Sequence, residues 1–101
     1  MLHYQVILSE NAETDFEEYI DYIISECSAP LTALRHYENF YYTLKSLENM
    51  PCSLPIQNGL YFLRFGSNVR RLNFKKMAII YTIHHETVYI HRIIAAKLIT
   101  S

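Results

Sequence analysis

Hydrophobic positions change their period once along this chain, and the change separates helices from strands. Ala12, Phe16, Tyr19, Ile20, Ile23 and Ile24 recur at helical spacing. Leu31, Leu34, Tyr37, Tyr41, Leu44 and Leu47 form a second helical stripe. From Val69 the period becomes two. Val69 to Phe74, Met77 to His84 and Thr87 to Ile94 are rich in Val, Ile, Tyr and Phe, and two-residue polar turns, Lys75-Lys76 and His85-Glu86, separate them. In the last run alternation places Val88, Ile90, Arg92 and Ile94 on one face and Tyr89, His91 and Ile93 on the other.

The residues between these runs fix the boundaries. His3 to Leu8 reads as a short strand, with Tyr4, Val6 and Leu8 on one side. Ser9 follows where an N-cap belongs, with Glu10 and Glu13 in the first turn of a helix reaching about Glu26. Ser28-Ala29-Pro30 breaks that helix, and Pro30 opens a second one, which ends near Met50-Pro51. PCSLPIQNG, residues 51–59, is a loop. Leu60 to Phe65 reads as an additional short strand or an extended arm, followed by a turn at Gly66-Ser67-Asn68. The expected fold is α+β, in the order β-α-α-β-β-β. Its two-helix hairpin packs on one face of a mostly antiparallel sheet, in one domain over residues 1–101.

Composition narrows the function classes. At 101 residues, half of them apolar, the chain is long enough for one core. No run approaches the ~20 apolar residues of a membrane span. The N-terminal MLHYQVILSENAE lacks the basic region and apolar length of a signal peptide. Cys27 and Cys52 are too few for a disulfide framework and form no CxxC pair. A cytoplasmic protein with two reduced thiols is expected.

The net charge of −1 hides a strong polarity. No Lys or Arg precedes Arg35, whereas Glu10, Glu13, Asp15, Glu17, Glu18, Asp21 and Glu26 are seven of the ten acids. From Leu60 onward Arg64, Arg70, Arg71, Lys75, Lys76, Arg92 and Lys97 face a single acid, Glu86. A sheet that carries the cations offers a positive surface to a partner.

The candidate chemistry is limited. His84, His85 and His91 lie in the last hairpin, but neighbouring strand residues point to opposite faces and no carboxylate or cysteine supports them. No metal and no cofactor is expected. With Gly59 and Gly66 the only glycines, a phosphate-cradling loop is absent, as are the nucleophile motifs of hydrolases. What remains is Arg70, Arg71, Lys75, Lys76, Tyr81, Tyr89, His91 and Arg92. Metal-free RNA cleavage needs a base, an acid and a cation for the phosphate, which His, Tyr and Arg can supply. The same set also serves as a docking surface. Arg70 shares its face with Leu72 and Phe74, so its stem can instead cover the sheet edge.

At these residues the sequence resembles the RelE/ParE superfamily of toxins from bacterial type II toxin–antitoxin systems. The resemblance runs from YQVILSENAETDFEEYIDYI, with its polar cap, "A..D" and late Tyr, through LKSLENMP to VRRL, IIYTI and VYIHRII. It implies the fold read above, a small acidic or amphipathic antitoxin as partner, and one of two activities. RelE-like members cut messenger RNA on the ribosome; ParE-like members poison DNA gyrase by binding. As a ribonuclease the chain would use Arg70, Tyr81 and His91. As a binder it would meet its target through Arg70, Arg71, Lys75, Lys76 and Arg92, with no catalytic residue. RelE-like enzymes usually carry an Arg where this chain has Ala78, and a Tyr or His after the final strand where it has Ala95-Ala96-Lys97-Leu98. The resemblance is therefore closer to the ParE-like branch. A degenerate, non-toxic member that only binds its antitoxin shares the same pattern.

Overall fold

The computed structural model describes residues 3–26 and 29–99. Strand β1 (Gln5–Leu8) leads into helix α1 (Glu10–Glu26), which is followed by α2 (Pro30–Ser46), β2 (Arg70–Phe74), β3 (Met77–His84) and β4 (Thr87–Ala95). The strands form one sheet in the order β1-β4-β3-β2. β1 runs parallel to β4, while β2–β3 and β3–β4 are antiparallel hairpins. This is the α+β arrangement expected from the hydrophobic period. Cys27 lies outside the described residues; Cys52 is a free, exposed thiol. No helix among the described residues is long and apolar enough to cross a membrane.

The helix starts follow from their sequences. The Ser9 hydroxyl accepts the Ala12 N–H at 3.0 Å, as an N-cap does. Ala29 caps α2, and Pro30 fills its first turn, where its missing N–H is not needed. The helical hairpin covers one face of the sheet. Phe40 is fully buried there and meets Phe16, Tyr19 and Phe74 at centroid distances of 5.1, 5.3 and 5.2 Å. Ala12, Leu44, Leu47, Ile79, Tyr81, Val88, Ile90 and Ile93 complete this core.

Two expectations are corrected. Simple alternation in the last strand does not hold, because the β3–β4 register shifts between Ile80 and Tyr81. Tyr81 pairs with Ile90 and Ile80 with Arg92, so His91 is an extra residue in β4, a β-bulge. The bulge resets the faces. Ile93, not Arg92, joins Val88 and Ile90 in the helix-side core, while Ile94 packs with Ile80 on the opposite face.

The second correction concerns Leu60–Phe65, which is a 3-10 run rather than a strand or extended arm. It folds over the face of the sheet away from the helices, where Phe62 buries against Val69, Ile80 and Ile94. The apolar positions of LYFLRF serve a helical turn that closes this second cluster. We expect Phe62→Ala to cost about 3 kcal/mol, within the usual range for truncating a buried aromatic. Urea denaturation checks this; a loss below about 1 kcal/mol would mean that the 60–65 run is not part of the packed fold.

Candidate functional site

The cations of the sheet fall into two groups. Arg70 lies opposite Tyr81 in the β2–β3 register, on the helix side of the sheet. Its guanidinium donates to the carbonyl oxygens of Leu54 and, at 3.1 Å, Cys52. The Tyr81 hydroxyl is buried and donates to the Pro51 carbonyl at 2.6 Å. Burial pushes its pKa up to about 12. These two side chains together fasten the 51–54 segment to the sheet. Arg92 is held as well: its Nε and terminal nitrogen donate to the two oxygens of Asp15 at 2.7 and 3.0 Å. Hydrogen bonding to that carboxylate raises the Arg92 pKa.

The second group is uncommitted. Arg71 donates only to the Asn73 side chain, at 2.7 Å. Lys75 stands 3.4 Å from the His36 ring, and both Lys75 and Lys76 are exposed at the β2–β3 turn. Among the described residues, no carboxylate pairs with Arg71, Lys75, Lys76 or Lys97. Lys75 has φ 52°, in the left-handed region, where a glycine would avoid a cost of about 1 kcal/mol.

Lys75, Lys76 and Lys97, with one exposed acid, Glu18, border a groove of about 880 Å³. It runs between the later part of α1 and the end of β4. Tyr19, Tyr22, Met77, Ile94, Ala95 and Leu98 line it with apolar surface, and the Asp15–Arg92 pair lies along it. His36 borders the groove too, and its Nδ1 is buried without a hydrogen-bond partner. An apolar floor with a lysine rim suits a partner that carries acids beside an apolar stripe.

His91 sits on the other face, away from the helices. Its Nε2 is 2.8 Å from the Thr82 hydroxyl, and that same hydroxyl is 2.9 Å from the His84 Nε2. Thr82 has one proton to give, so at most one ring accepts from it and the other presents its own N–H. Phe65 and Tyr89 flank the His91 ring at 5.3 and 4.9 Å. Burial lowers the His91 pKa, and neighbouring His84 adds to the effect. Among the described residues, no cluster of three or more His, Cys, Asp or Glu could hold a metal ion.

Residues 6–97 match the family described as the ParE toxin of the type II toxin-antitoxin system parDE. The chain belongs to the ParE toxin family. Solved structures agree with the fold. A chain of the chromosomal ParDE toxin–antitoxin system of P. aeruginosa superposes with a TM-score of 0.70 at 14% identity, over 92% of this chain and 96% of that one. A chain of the RelBE2 toxin–antitoxin complex of Mycobacterium tuberculosis gives a TM-score of 0.57 at 18% identity, over 93% and 99%. At such identities the likeness is one of fold alone. No curated protein matches the sequence.

Set on this ParE fold, the residues singled out from the sequence do not form one cluster. Arg70 and Tyr81 face the helices and hold a loop, whereas His91 faces away from them on the bulge. Of the five candidate target-binding cations, Arg70 and Arg92 are held by carbonyl and carboxylate oxygens within the fold, whereas Arg71, Lys75 and Lys76 pair with no carboxylate among the described residues. Lys97, Tyr22 and His36 join the groove without having been assigned to a site from the sequence. Their signal was weak: Lys97 is a lone cation in an apolar tail, and only the fold brings it near Lys75 and Lys76.

The lowered His91 pKa has a consequence for stability. In the unfolded chain the ring titrates near its ordinary value of 6.5, and in the fold it does so lower. Below about pH 6.5 the unfolded state therefore takes up more protons, and stability falls with pH until the folded ring also protonates. His91→Gln should flatten that decline. Urea midpoints between pH 7.5 and 5 check it; an unchanged slope in the variant would assign the acid sensitivity to other groups.

Proposed function

We propose that this ParE-family protein is a cytoplasmic toxin that arrests growth by binding and poisoning DNA gyrase, and that a cognate antitoxin neutralises it. One observation carries the choice of binding over cleavage. The three side chains a ribonuclease reading would use, Arg70, Tyr81 and His91, lie on opposite faces of the sheet, and each is already hydrogen-bonded within the fold. A phenol raised to about 12 and buried against a backbone carbonyl has no route to a substrate proton. Ala78, where a RelE-like enzyme would carry an arginine, is fully buried and adds no charge.

Binding needs exposed charge, and Lys75, Lys76 and Lys97 supply it around an apolar groove. The expected antitoxin carries an acidic, amphipathic segment that covers this groove and masks the lysines. The structural matches to toxin–antitoxin assemblies support such a partner. The whole chain acts as one domain in this reading, with the helical hairpin serving as scaffold.

Purified protein should inhibit gyrase supercoiling and leave ribosome-bound message intact. Lys75→Glu with Lys76→Glu should abolish the inhibition while shifting stability by no more than about 0.5 kcal/mol, as is usual for surface changes. Arg70→Ala should instead destabilise the fold, because it abandons two loop carbonyls. Codon-positioned cleavage of message on ribosomes, with gyrase unaffected, would overturn the proposal in favour of a ribonuclease.

A further inference from the structure

We propose that His84 and His91 form a binding site for an exchangeable zinc ion on the face of the sheet away from the helices. The sequence gathers His84, His85 and His91 in the last hairpin, and the fold decides which of them share a face. Neighbours in a strand point apart, which separates His84 from His85 but not His84 from His91 on the adjoining strand. His84 closes β3, and His91 is the extra residue of the β4 bulge, a position at which sheets re-aim a side chain. The Nε2 nitrogens of these two rings converge on one atom, the Thr82 hydroxyl oxygen, at 2.9 and 2.8 Å. His85 stands outside the pair, exposed at the turn with φ 57°.

Zinc–imidazole bonds are about 2.0–2.1 Å long, so two nitrogens on one tetrahedral ion stand about 3.3 Å apart. Two nitrogens that already touch a common oxygen reach that separation by small rotations. His84 is exposed, so its ring turns without repacking the core, whereas Phe65 and Tyr89 hold the His91 ring between them. Thr82 is 3% exposed, and its hydroxyl lies beneath the pair and orients both rings. One of the rings now presents its Nε2 proton to that hydroxyl; with the proton on Nδ1 instead, both Nε2 lone pairs are free for an ion. Protonating both rings would set two cations side by side, whereas one divalent ion satisfies both lone pairs. No Lys or Arg occurs from Met77 to His91, and the charge of Arg92 is met by Asp15. Two protein ligands fall below the three or four of a resident zinc site, so water completes the shell and the ion exchanges with solution. Neither histidine lines the lysine-rimmed groove, so the site is separate from it and independent of the gyrase reading.

Zinc sulfate titrated into the full chain at about pH 7.5, where imidazole is neutral, tests the site residue by residue through the histidine ring C–H resonances. The His84 and His91 rings should shift together along one saturation curve, while those of His36 and His85 stay in place. His84→Gln, at an exposed position, should weaken zinc binding at the His91 ring by at least about tenfold, and Thr82→Val, which removes the orienting hydroxyl, by about tenfold. His85→Gln should leave the titration unchanged. A shift of only one of the two rings, shifts confined to His3 or to the surroundings of Cys52, an unaltered titration in His84→Gln, or no shift of either ring up to about 1 mM zinc would overturn the proposal.

Discussion

The carboxylate of Asp15 is the contact on which the two faces of this protein depend. It sits on α1, only 9% exposed, and accepts three hydrogen bonds from β4: two from the Arg92 guanidinium and one from the Ile93 N–H at 2.9 Å. Two turns earlier, Ser9 donates its N–H to the Ile90 carbonyl at 2.9 Å and its hydroxyl to the His91 carbonyl at 2.8 Å. Backbone groups around the bulge at His91 are thus met by the start of α1 rather than left orphaned. Without the bulge, Ile93 would leave the helix-side core, and Arg92 would continue the row of Val88 and Ile90.

From this junction follows a division of labour among the cations. Arg92 and Arg70 hold α1 and the 51–54 segment to the sheet, where fixed hydrogen bonds to a carboxylate and to backbone carbonyls make them structural. Lys75, Lys76 and Lys97 hold nothing comparable and stand in water, where charge acts at longer range on an approaching partner. The fold thus supplies both a rigid frame and a charged rim that the frame does not consume, the two things the proposed binding function needs. The acids concentrated on α1 and the cations concentrated after Leu60 give the molecule a charge polarity that its net charge of −1 conceals.

Much of this architecture was legible in the sequence because its signals are local. The switch from helical spacing to period two placed both helices and the last three strands; the Ser9 cap and Pro30 marked where the helices begin. The alternative noted for Arg70, covering the sheet edge beside Leu72 and Phe74, lies close to the contacts it makes. The bulge was not legible, because an inserted residue leaves no mark in a run where almost every position is apolar or aromatic. Nor was the 60–65 run, since LYFLRF satisfies a strand or a 3-10 turn equally and only the open face of the sheet decides. Asp15 was read among the acids of a helix exterior; its place in the "A..D" pattern was visible, but the role of that pattern depends on β4, nearly eighty residues away.

Comparing Asp15→Ala with Arg92→Ala by equilibrium urea denaturation tests the central junction most directly. If Asp15 merely formed an ion pair with Arg92, the two truncations would cost about the same. The contacts described here require more: Asp15→Ala also strands the Ile93 N–H, whereas in Arg92→Ala the carboxylate keeps that bond, and so Asp15→Ala should cost about 1 kcal/mol beyond Arg92→Ala. Equal losses, or a larger loss in Arg92→Ala, would contradict the claim that α1 closes the bulge.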